Sequence, residues 1–250
     1  MRLKPGWYLL FLTLLYAVLV TYAWQRSERR LAELAAGQGA VAETPPAEAP
    51  APEPEPAAAR PYVLPLPGAC LPKNPAHLPG APRPYRDGVS YGFVFTGDDA
   101  CVPVVYGAGV VAANAGEVVK ADRDWTPPSR EAFEALVKAV AKGASPEQMD
   151  RLRGREVWIR HPDGRVSVYA HLSGIAPWVR VGARVERGDW IGNVGNSGTG
   201  FEAEGSRAGA RLLFELWRGG VGEGSYFGQG LEPEAIREEA RAFFAHLAEE

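Results

Sequence analysis

The sequence predicts a mainly β domain that carries a helical insertion and ends in a helix. Apolar residues recur at every second position in short runs such as "GARLLFELW" at 209–217, which indicates strands. Turn residues separate the runs, and "REVWIRHPDGRVSVYAHL" is typical of a β-hairpin around "PDG". Two other segments repeat apolar residues at helical spacing, which places helices within 125–153 and 232–250.

Composition sets limits on the class of protein. The chain has 250 residues, 23% of them charged, and a net charge of −3, so it offers no basic footprint for nucleic acid. Its two cysteines, Cys70 and Cys101, are too few for a disulfide scaffold. They form one bridge in an oxidising compartment or remain two separate apolar residues, and the sequence leaves both readings open.

The N-terminal segment predicts a membrane anchor. Residues 7–24 read "WYLLFLTLLYAVLVTYAW", an uncharged run with aromatic residues at both ends. About 18 apolar residues approach the minimum for a membrane-crossing helix. We therefore expect a cytoplasmic tip at 1–6 and a single-pass anchor at 7–24, with the main domain outside the cytoplasm. A cleaved signal peptide is the alternative.

A tether follows the anchor. Residues 25–61 begin as a short helical stretch and continue as a run rich in proline, alanine and glutamate. Such a run has too few apolar residues to offset the entropy of ordering and stays extended. The folded domain is therefore assigned to 62–250, with its core at 79–217.

The helical segments show start signals and apolar faces. In the insertion at 125–153, Phe133, Leu136 and Val140 share one helical face. The second insertion helix opens with Ser145 and Gln148 in a capping-box arrangement. We expect these helices to form a lobe beside the sheet, and the helix at 232–250 to pack its apolar face inward.

The strand at 209–217 poses the question of function. Strand side chains alternate between faces, so Arg211, Leu213 and Glu215 share one face of an otherwise apolar strand. Charged residues on a core strand need a reason, such as a cleft on that face of the sheet.

Four stretches in order resemble a known family. They are "RPYRDGVSYGFVF", "PVVYGAGVVAANAGEVV", "VWIRHPDGRVSVYAHLSG", and "VRVGARVERGDWIGNVGNSG" followed by "RLLFEL". Together they are similar to the blocks of the LytM/lysostaphin-type zinc metallopeptidases, which cut peptide cross-links in bacterial cell walls. The resemblance implies a LytM-type open antiparallel β-sandwich of the duplicated hybrid motif type, with a cleft.

The departures from the family fall on its chemistry. The resemblance implies zinc ligands at three positions, which here hold Ser90, Val94 and Leu213. One catalytic histidine position of the family keeps His171, while the other holds Arg211. Glu215 matches the family's glutamate beside the site. Since serine, valine and leucine do not build a zinc site, we expect no metal cofactor, and zinc only if this ligand assignment is wrong.

The remaining histidines do not replace the missing ligands in this interpretation. His161 lies at the hairpin tip and His171 at the far end of the returning strand, too far apart to share one ion. His77 lies in proline-rich coil and His246 on the terminal helix.

The sequence therefore predicts a membrane-tethered, catalytically inactive LytM-type protein of the cell envelope. It would act by binding peptidoglycan or by regulating a cell-wall hydrolase, with Ser90, His171, Arg211 and Glu215 as candidate cleft residues. Two alternatives stay open: an active zinc-dependent peptidoglycan endopeptidase with rearranged ligands, and a structural adaptor in an envelope assembly.

Overall fold

The computed structural model describes residues 62–245; the predicted tip, anchor and tether at 1–61 and His246 lie outside the described residues. The strands are β1 (Pro82–Arg83), β2 (Gly88–Val89), β3 (Gly92–Thr96), β4 (Gly109–Val111), β5 (Gly116–Ala121), β6 (Val157–Arg160), β7 (Arg165–Ala170), β8 (Leu172–Ile175), β9 (Arg184–Val185), β10 (Trp190–Val194), β11 (Arg211–Arg218) and β12 (Ser225–Tyr226). The α-helices are α1 (Arg130–Ala139), α2 (Pro146–Arg153), α3 (Gly200–Ala203) and α4 (Pro233–Phe243), and two 3₁₀ turns cover Pro75–His77 and Pro84–Arg86.

Antiparallel pairing joins the strands into three sheets. The largest follows the order β12–β11–β7–β6–β5–β9, and β3 also pairs with β11. Strands β4, β10 and β8 form a second sheet, and β1 pairs with β2. The two larger sheets contribute to one apolar core, in which Phe93, Ile191 and Phe214 are fully buried. The predicted fold class, an open antiparallel arrangement with added helices, is confirmed.

The predicted hairpin is the β6–β7 pair. Trp158 pairs with Val168 and Ile159 with Ser167 across it, in unbroken antiparallel register. Gly164 in its turn has a φ of 80°, a left-handed conformation that glycine adopts without steric cost. The returning strand β7 then pairs with β11, which brings the end of the hairpin beside the strand that raised the question of function.

Both insertion helices begin at serine caps. The Ser129 hydroxyl accepts from the Ala132 N–H at the start of α1. The predicted capping box at α2 is confirmed, with Ser145 and Gln148 bonded reciprocally. Leu136 and Val140 of α1 pack against Met149 and Leu152 of α2, so the two helices share a small core of their own.

A disulfide and contacts with the C-terminal helix fix the coil at the start of the described range. Cys70 and Cys101 are joined by a disulfide with an S–S distance of 2.08 Å, which links the initial coil to the loop after β3. Tyr62 stacks on Phe243 of α4 at 4.7 Å between ring centroids. Helix α4 buries Ile236 and Ala240 against the main core, as its apolar face predicts.

Among residues 62–245, no helix combines the length and apolar character that a membrane crossing requires.

Candidate functional site

A cleft of about 680 Å³ opens on the face of β3 and β11. The sheet supplies its floor, the helices α1 and α2 one wall, and α3 part of the rim. The cleft brings together the three family ligand positions, which hold Ser90, Val94 and Leu213, and the two catalytic histidine positions, which hold His171 and Arg211. Residues from separate segments of the chain therefore lie together in one site.

Val94 and Leu213 meet at the centre of the floor. They are direct register partners across β3 and β11. Partners in an antiparallel pair hold their Cβ atoms about 4.5–5.5 Å apart on the same face. Two aliphatic side chains therefore stand side by side at two of the three positions that the resemblance assigns to metal ligands.

Ser90 occupies the third position and is committed to local hydrogen bonds. It lies between β2 and β3 and is only 2% exposed. Its hydroxyl donates to the Gly92 carbonyl at 3.0 Å. Its backbone N–H donates to the Ala81 carbonyl at 2.8 Å. The hydroxyl therefore stabilises the turn into β3.

His171 projects from a strained backbone position directly after β7. Its φ of 64° is left-handed, which is uncommon for a residue with a side chain. Its backbone N–H donates to the Arg153 carbonyl at 2.8 Å. Nδ1 lies 2.7 Å from the Ser197 carbonyl, which only accepts, so the proton is on Nδ1 and Nε2 is the acceptor. Contacts from α2 and from the loop before α3 therefore fix the position of His171.

The imidazole of His171 is neutral at physiological pH. Burial, followed by the positive charge of Arg211, lowers the pKa of His171 to about 4. A neutral imidazole with a free acceptor nitrogen is able to receive one hydrogen bond from a ligand.

Arg211 opens β11 opposite Thr96 of β3. Its Nε donates to the Gly209 carbonyl at 3.0 Å, and burial lowers the pKa of its guanidinium. Beside it, the ring of Phe201 packs so closely on Gly209 that a Cβ there would lie 2.4 Å from the ring. The guanidinium is therefore positioned at the cleft by a tight turn.

Glu215 shares the strand face of Arg211 and Leu213 but does not line the cleft. It is 0% exposed, and Gly92 is its register partner on β3. The Arg153 guanidinium donates to it through Nε at 3.1 Å and through Nη2 at 2.8 Å. Trp217 Nε1 donates to the same carboxylate at 2.7 Å. Its acceptor atoms are thus occupied inside the protein, beneath the cleft.

The insertion helices contribute more to the site than the sequence indicated. Phe133 and Val137 of α1 and Arg153 of α2 line the cleft, so the insertion is a wall of the site. The apolar periodicity of α1 predicted an inward face, but periodicity does not distinguish a face that fills a core from one that borders a cleft. The arginines Arg83 and Arg86, which also line the cleft, carried no signal at all.

The two remaining described histidines are each hydrogen-bonded to other residues of the protein. His161 is buried; its Nδ1 lies 2.8 Å from the Ala115 carbonyl and its Nε2 2.8 Å from the Ser167 hydroxyl. His77 lines the cleft, with its Nδ1 2.7 Å from Asp99. The sequence suggested no partner for His77, because its partner lies on the loop that the disulfide brings back to the coil.

Residues 62–245 do not fit a zinc site. Catalytic zinc takes about three ligands from histidine, cysteine, aspartate or glutamate and an open position for water. Across the described range, no group of three or more such residues is arranged to hold a metal ion. Ser90, Val94 and Leu213 supply neither imidazole nor carboxylate, and Arg211 adds a positive charge that disfavours a dication.

Comparison with known proteins finds one family match. Residues 130–223 match the model of peptidase family M23, a range that includes His171 and Leu213 but begins after Ser90 and Val94. The chain matches no curated protein sequence.

Three solved structures illustrate the likeness. A zinc-containing peptidase from Vibrio cholerae is 19% identical with a TM-score of 0.40, over 63% of this chain and 36% of its own length. The catalytic domain of lysostaphin from Staphylococcus simulans is 20% identical with a TM-score of 0.39, over 65% of this chain and 88% of its own. A mutant catalytic domain of the M23 protein EnpA from Enterococcus faecalis is 18% identical with a TM-score of 0.41, over 69% and 95%. This chain therefore spans about a third of the Vibrio peptidase and most of the other two domains.

The family match falls on the hairpin, the cleft strand and the insertion helices described above. The resemblance drawn from the sequence blocks is confirmed over this range: residues 130–223 are similar to peptidase family M23, to which the LytM/lysostaphin-type peptidases belong.

Proposed function

We propose that this protein is a membrane-tethered component of the cell envelope whose M23-like domain binds its target and does not hydrolyse it with zinc. The observation that carries the proposal is the Val94–Leu213 pair, two aliphatic side chains in register where the family pattern has ligands. The cleft itself is retained at about 680 Å³, within the size range of ligand sites. A retained cleft without a ligand set favours binding over metal chemistry.

We propose peptidoglycan, or a hydrolase that acts on it, as the target. M23 is a family of cell-wall peptidases, so the ancestral cleft is suited to wall peptides. The residues that replace the ligands are compatible with binding: Arg211 offers hydrogen-bond donors, and His171 offers one acceptor. Substituting each of these two residues would measure its contribution to binding.

A sedimentation assay on insoluble peptidoglycan tests the binding proposal. The purified protein should co-sediment with peptidoglycan, and muropeptide release should stay at the level of buffer with zinc present or chelated. No retention on peptidoglycan, and none on a hydrolase that acts on it, would overturn the binding proposal. Chelator-sensitive release of muropeptides would favour the alternative, an active endopeptidase with rearranged ligands.

The tethering proposal has a separate test. The chain expressed in bacteria should stay in the membrane pellet after alkaline carbonate extraction, and a variant without residues 7–24 should be released. Release of the intact chain would contradict the anchor. The variant lacking 7–24 also serves as the soluble form for binding assays. Co-purification with a membrane complex but without wall binding would favour the adaptor alternative.

A further inference from the structure

The cleft holds a cluster of arginines that no carboxylate neutralises. Arg83, Arg86 and Arg211 all line it. Within residues 62–245, none of the three forms an ion pair. Arg153 also lines the cleft, but its charge is offset by Glu215. The one acidic residue of the lining, Glu204, is exposed at the rim. The lining of the cleft therefore carries positive charge that no described ion pair offsets.

Arg86 is the most unusual member of the cluster. It is only 5% exposed, its guanidinium lies 4.9 Å from the ring centroid of Tyr91, and its terminal nitrogen donates to the Val89 carbonyl. Its Nε is buried without a hydrogen-bond partner. A buried cation without a counter-ion is unfavourable, so an anion in the cleft would offset its charge.

Arg83 and Arg211 stand nearer to solvent than Arg86. Arg83 donates to the Ala76 carbonyl at 3.0 Å, which fixes its side chain across the cleft mouth. Burial lowers the pKa of Arg83, Tyr85 opposes this shift, and the charges of Arg86 and Arg211 lower the pKa further, so Arg83 lies within electrostatic range of both arginines. Guanidinium groups present paired donors that match the two oxygens of a carboxylate.

Apolar side chains border the cations. Phe133 and Val137 of α1 form one wall, and Phe201 of α3 lies over Gly209 beside Arg211. A ligand that fits this cleft presents an anionic group to the arginines and small apolar groups to the walls. A peptide end with apolar side chains has this combination, whereas a phosphate polymer with a polar backbone lacks the apolar part.

We propose that the cleft binds the free C-terminal carboxylate of a peptide, with Arg83 and Arg211 as direct partners and Arg86 as the buried cation behind them. This inference rests on the proposed function, since it takes the cleft as a binding site, and it adds the chemical class of the ligand. No bond is made or broken in this proposal. Arg211, at a catalytic histidine position of the family pattern, forms this anion site together with Arg83 and Arg86.

Calorimetry with matched peptides tests the proposal. The probes are acetyl-Ala-Ala-Ala with a free C-terminal carboxylate and the same peptide as a C-terminal amide. We expect the acid to bind at least about ten-fold tighter than the amide, because charge-assisted hydrogen bonds to arginine are lost in the amide. Equal affinities, or no binding of the acid, would overturn the proposal.

Three variants assign the effect to the cleft. Arg211→Gln and Arg83→Gln should each remove most of the preference for the acid. Arg184→Gln, an exposed arginine of β9 outside the cleft, loses the same charge and should keep the preference. If Arg211→Gln fails to fold, Arg83→Gln alone decides. A preference retained in Arg83→Gln, or lost in Arg184→Gln, would contradict the assignment.

Inorganic phosphate separates the two sources of an anion. Phosphate that binds tightly and depends on Arg211, without any preference for the acid peptide, would overturn the peptide assignment. The outcome is also separable from the proposed function. Retention on peptidoglycan with equal affinities for the acid and the amide would support wall binding and overturn the carboxylate site. A clear preference for the acid without retention on peptidoglycan would support the carboxylate site and count against wall binding.

Discussion

Val94 and Leu213 are direct partners across β3 and β11, and both line the cleft. The strand register keeps these positions adjacent whatever residues they hold, because it is set by the buried partners on the other face, such as Phe93 and Phe214. The strand geometry that brings these positions together is therefore independent of whether the residues there can bind a metal ion.

Restoring the ligands should restore zinc binding. We expect the combined variant Ser90→His, Val94→Asp, Arg211→His and Leu213→His to hold about one zinc per chain after dialysis, because all four positions line one cleft and positions 94 and 213 are register partners. Metal content by mass spectrometry is the measurement. Leu213→His alone is the control and should retain no zinc. A folded combined variant without zinc would show that these positions do not converge as described.

Breaking the Arg153–Glu215 pair should destabilise the fold. Removing Glu215 leaves the buried Arg153 guanidinium with only Asp150 at 3.4 Å and Glu156 at 4.0 Å, and loss of one partner of a buried ion pair costs about 3–5 kcal/mol. We expect Glu215→Ala to lower the free energy of unfolding by about that amount in urea titrations. The matched control Glu204→Ala, an exposed carboxylate, should change it by less than about 0.5 kcal/mol. A loss below about 1 kcal/mol for Glu215→Ala would contradict the buried pair.

His171 should titrate well below the ordinary histidine range. Because its pKa in the folded protein is lowered to about 4 from an ordinary value near 6.5, its contribution to stability is complete above pH 6.5 and is lost as the pH falls towards 4. Arg211→Gln should raise the pKa of His171, since it removes the nearby charge, while Arg83→Gln should leave it nearly unchanged. Nitrogen-detected NMR of the His171 imidazole measures its pKa in each variant. An unchanged pKa in Arg211→Gln would contradict the effect of the Arg211 charge on His171.

Glu156 should give the opposite pH dependence. Burial raises the pKa of Glu156 to about 7, although Lys120 Nζ lies 2.5 Å from Oε1. A raised pKa stabilises the fold below the unfolded value near 4.5, and this contribution is lost as the pH rises through 7. Relative to Glu156→Gln, the wild type should therefore lose on the order of 1–3 kcal/mol of unfolding free energy between pH 5 and pH 8. Parallel pH profiles for the two proteins would contradict the raised pKa.

The strands were predictable because they depend on local periodicity and turns, whereas the cleft was expected from the resemblance to the LytM/lysostaphin-type peptidases. Alternation along 209–217 predicted β11, and "PDG" predicted the hairpin that carries His171 to the cleft. The same periodicity placed Arg211, Leu213 and Glu215 on one face but not at one depth. Glu215 is buried because Arg153 lies over it, and that contact spans 62 residues of the chain.

The arginine cluster was not predictable for a similar reason. Arg83 and Arg86 lie in a short turn segment without periodicity, so no pattern assigns them a direction. Their place in the cleft depends on β1–β2 pairing and on the turn that Ser90 stabilises. Irregular turn contacts of this kind leave no repeating pattern from which the direction of a side chain can be predicted.

The central claim, that the M23-like cleft has lost its metal site, is tested most directly by the zinc content of the purified protein. The protein should be made without a histidine tag and measured after incubation with excess zinc and dialysis. We predict well below one zinc per chain, because Ser90, Val94 and Leu213 supply no ligand set. About one tightly held zinc per chain would contradict the claim and would make zinc-dependent endopeptidase activity the leading interpretation.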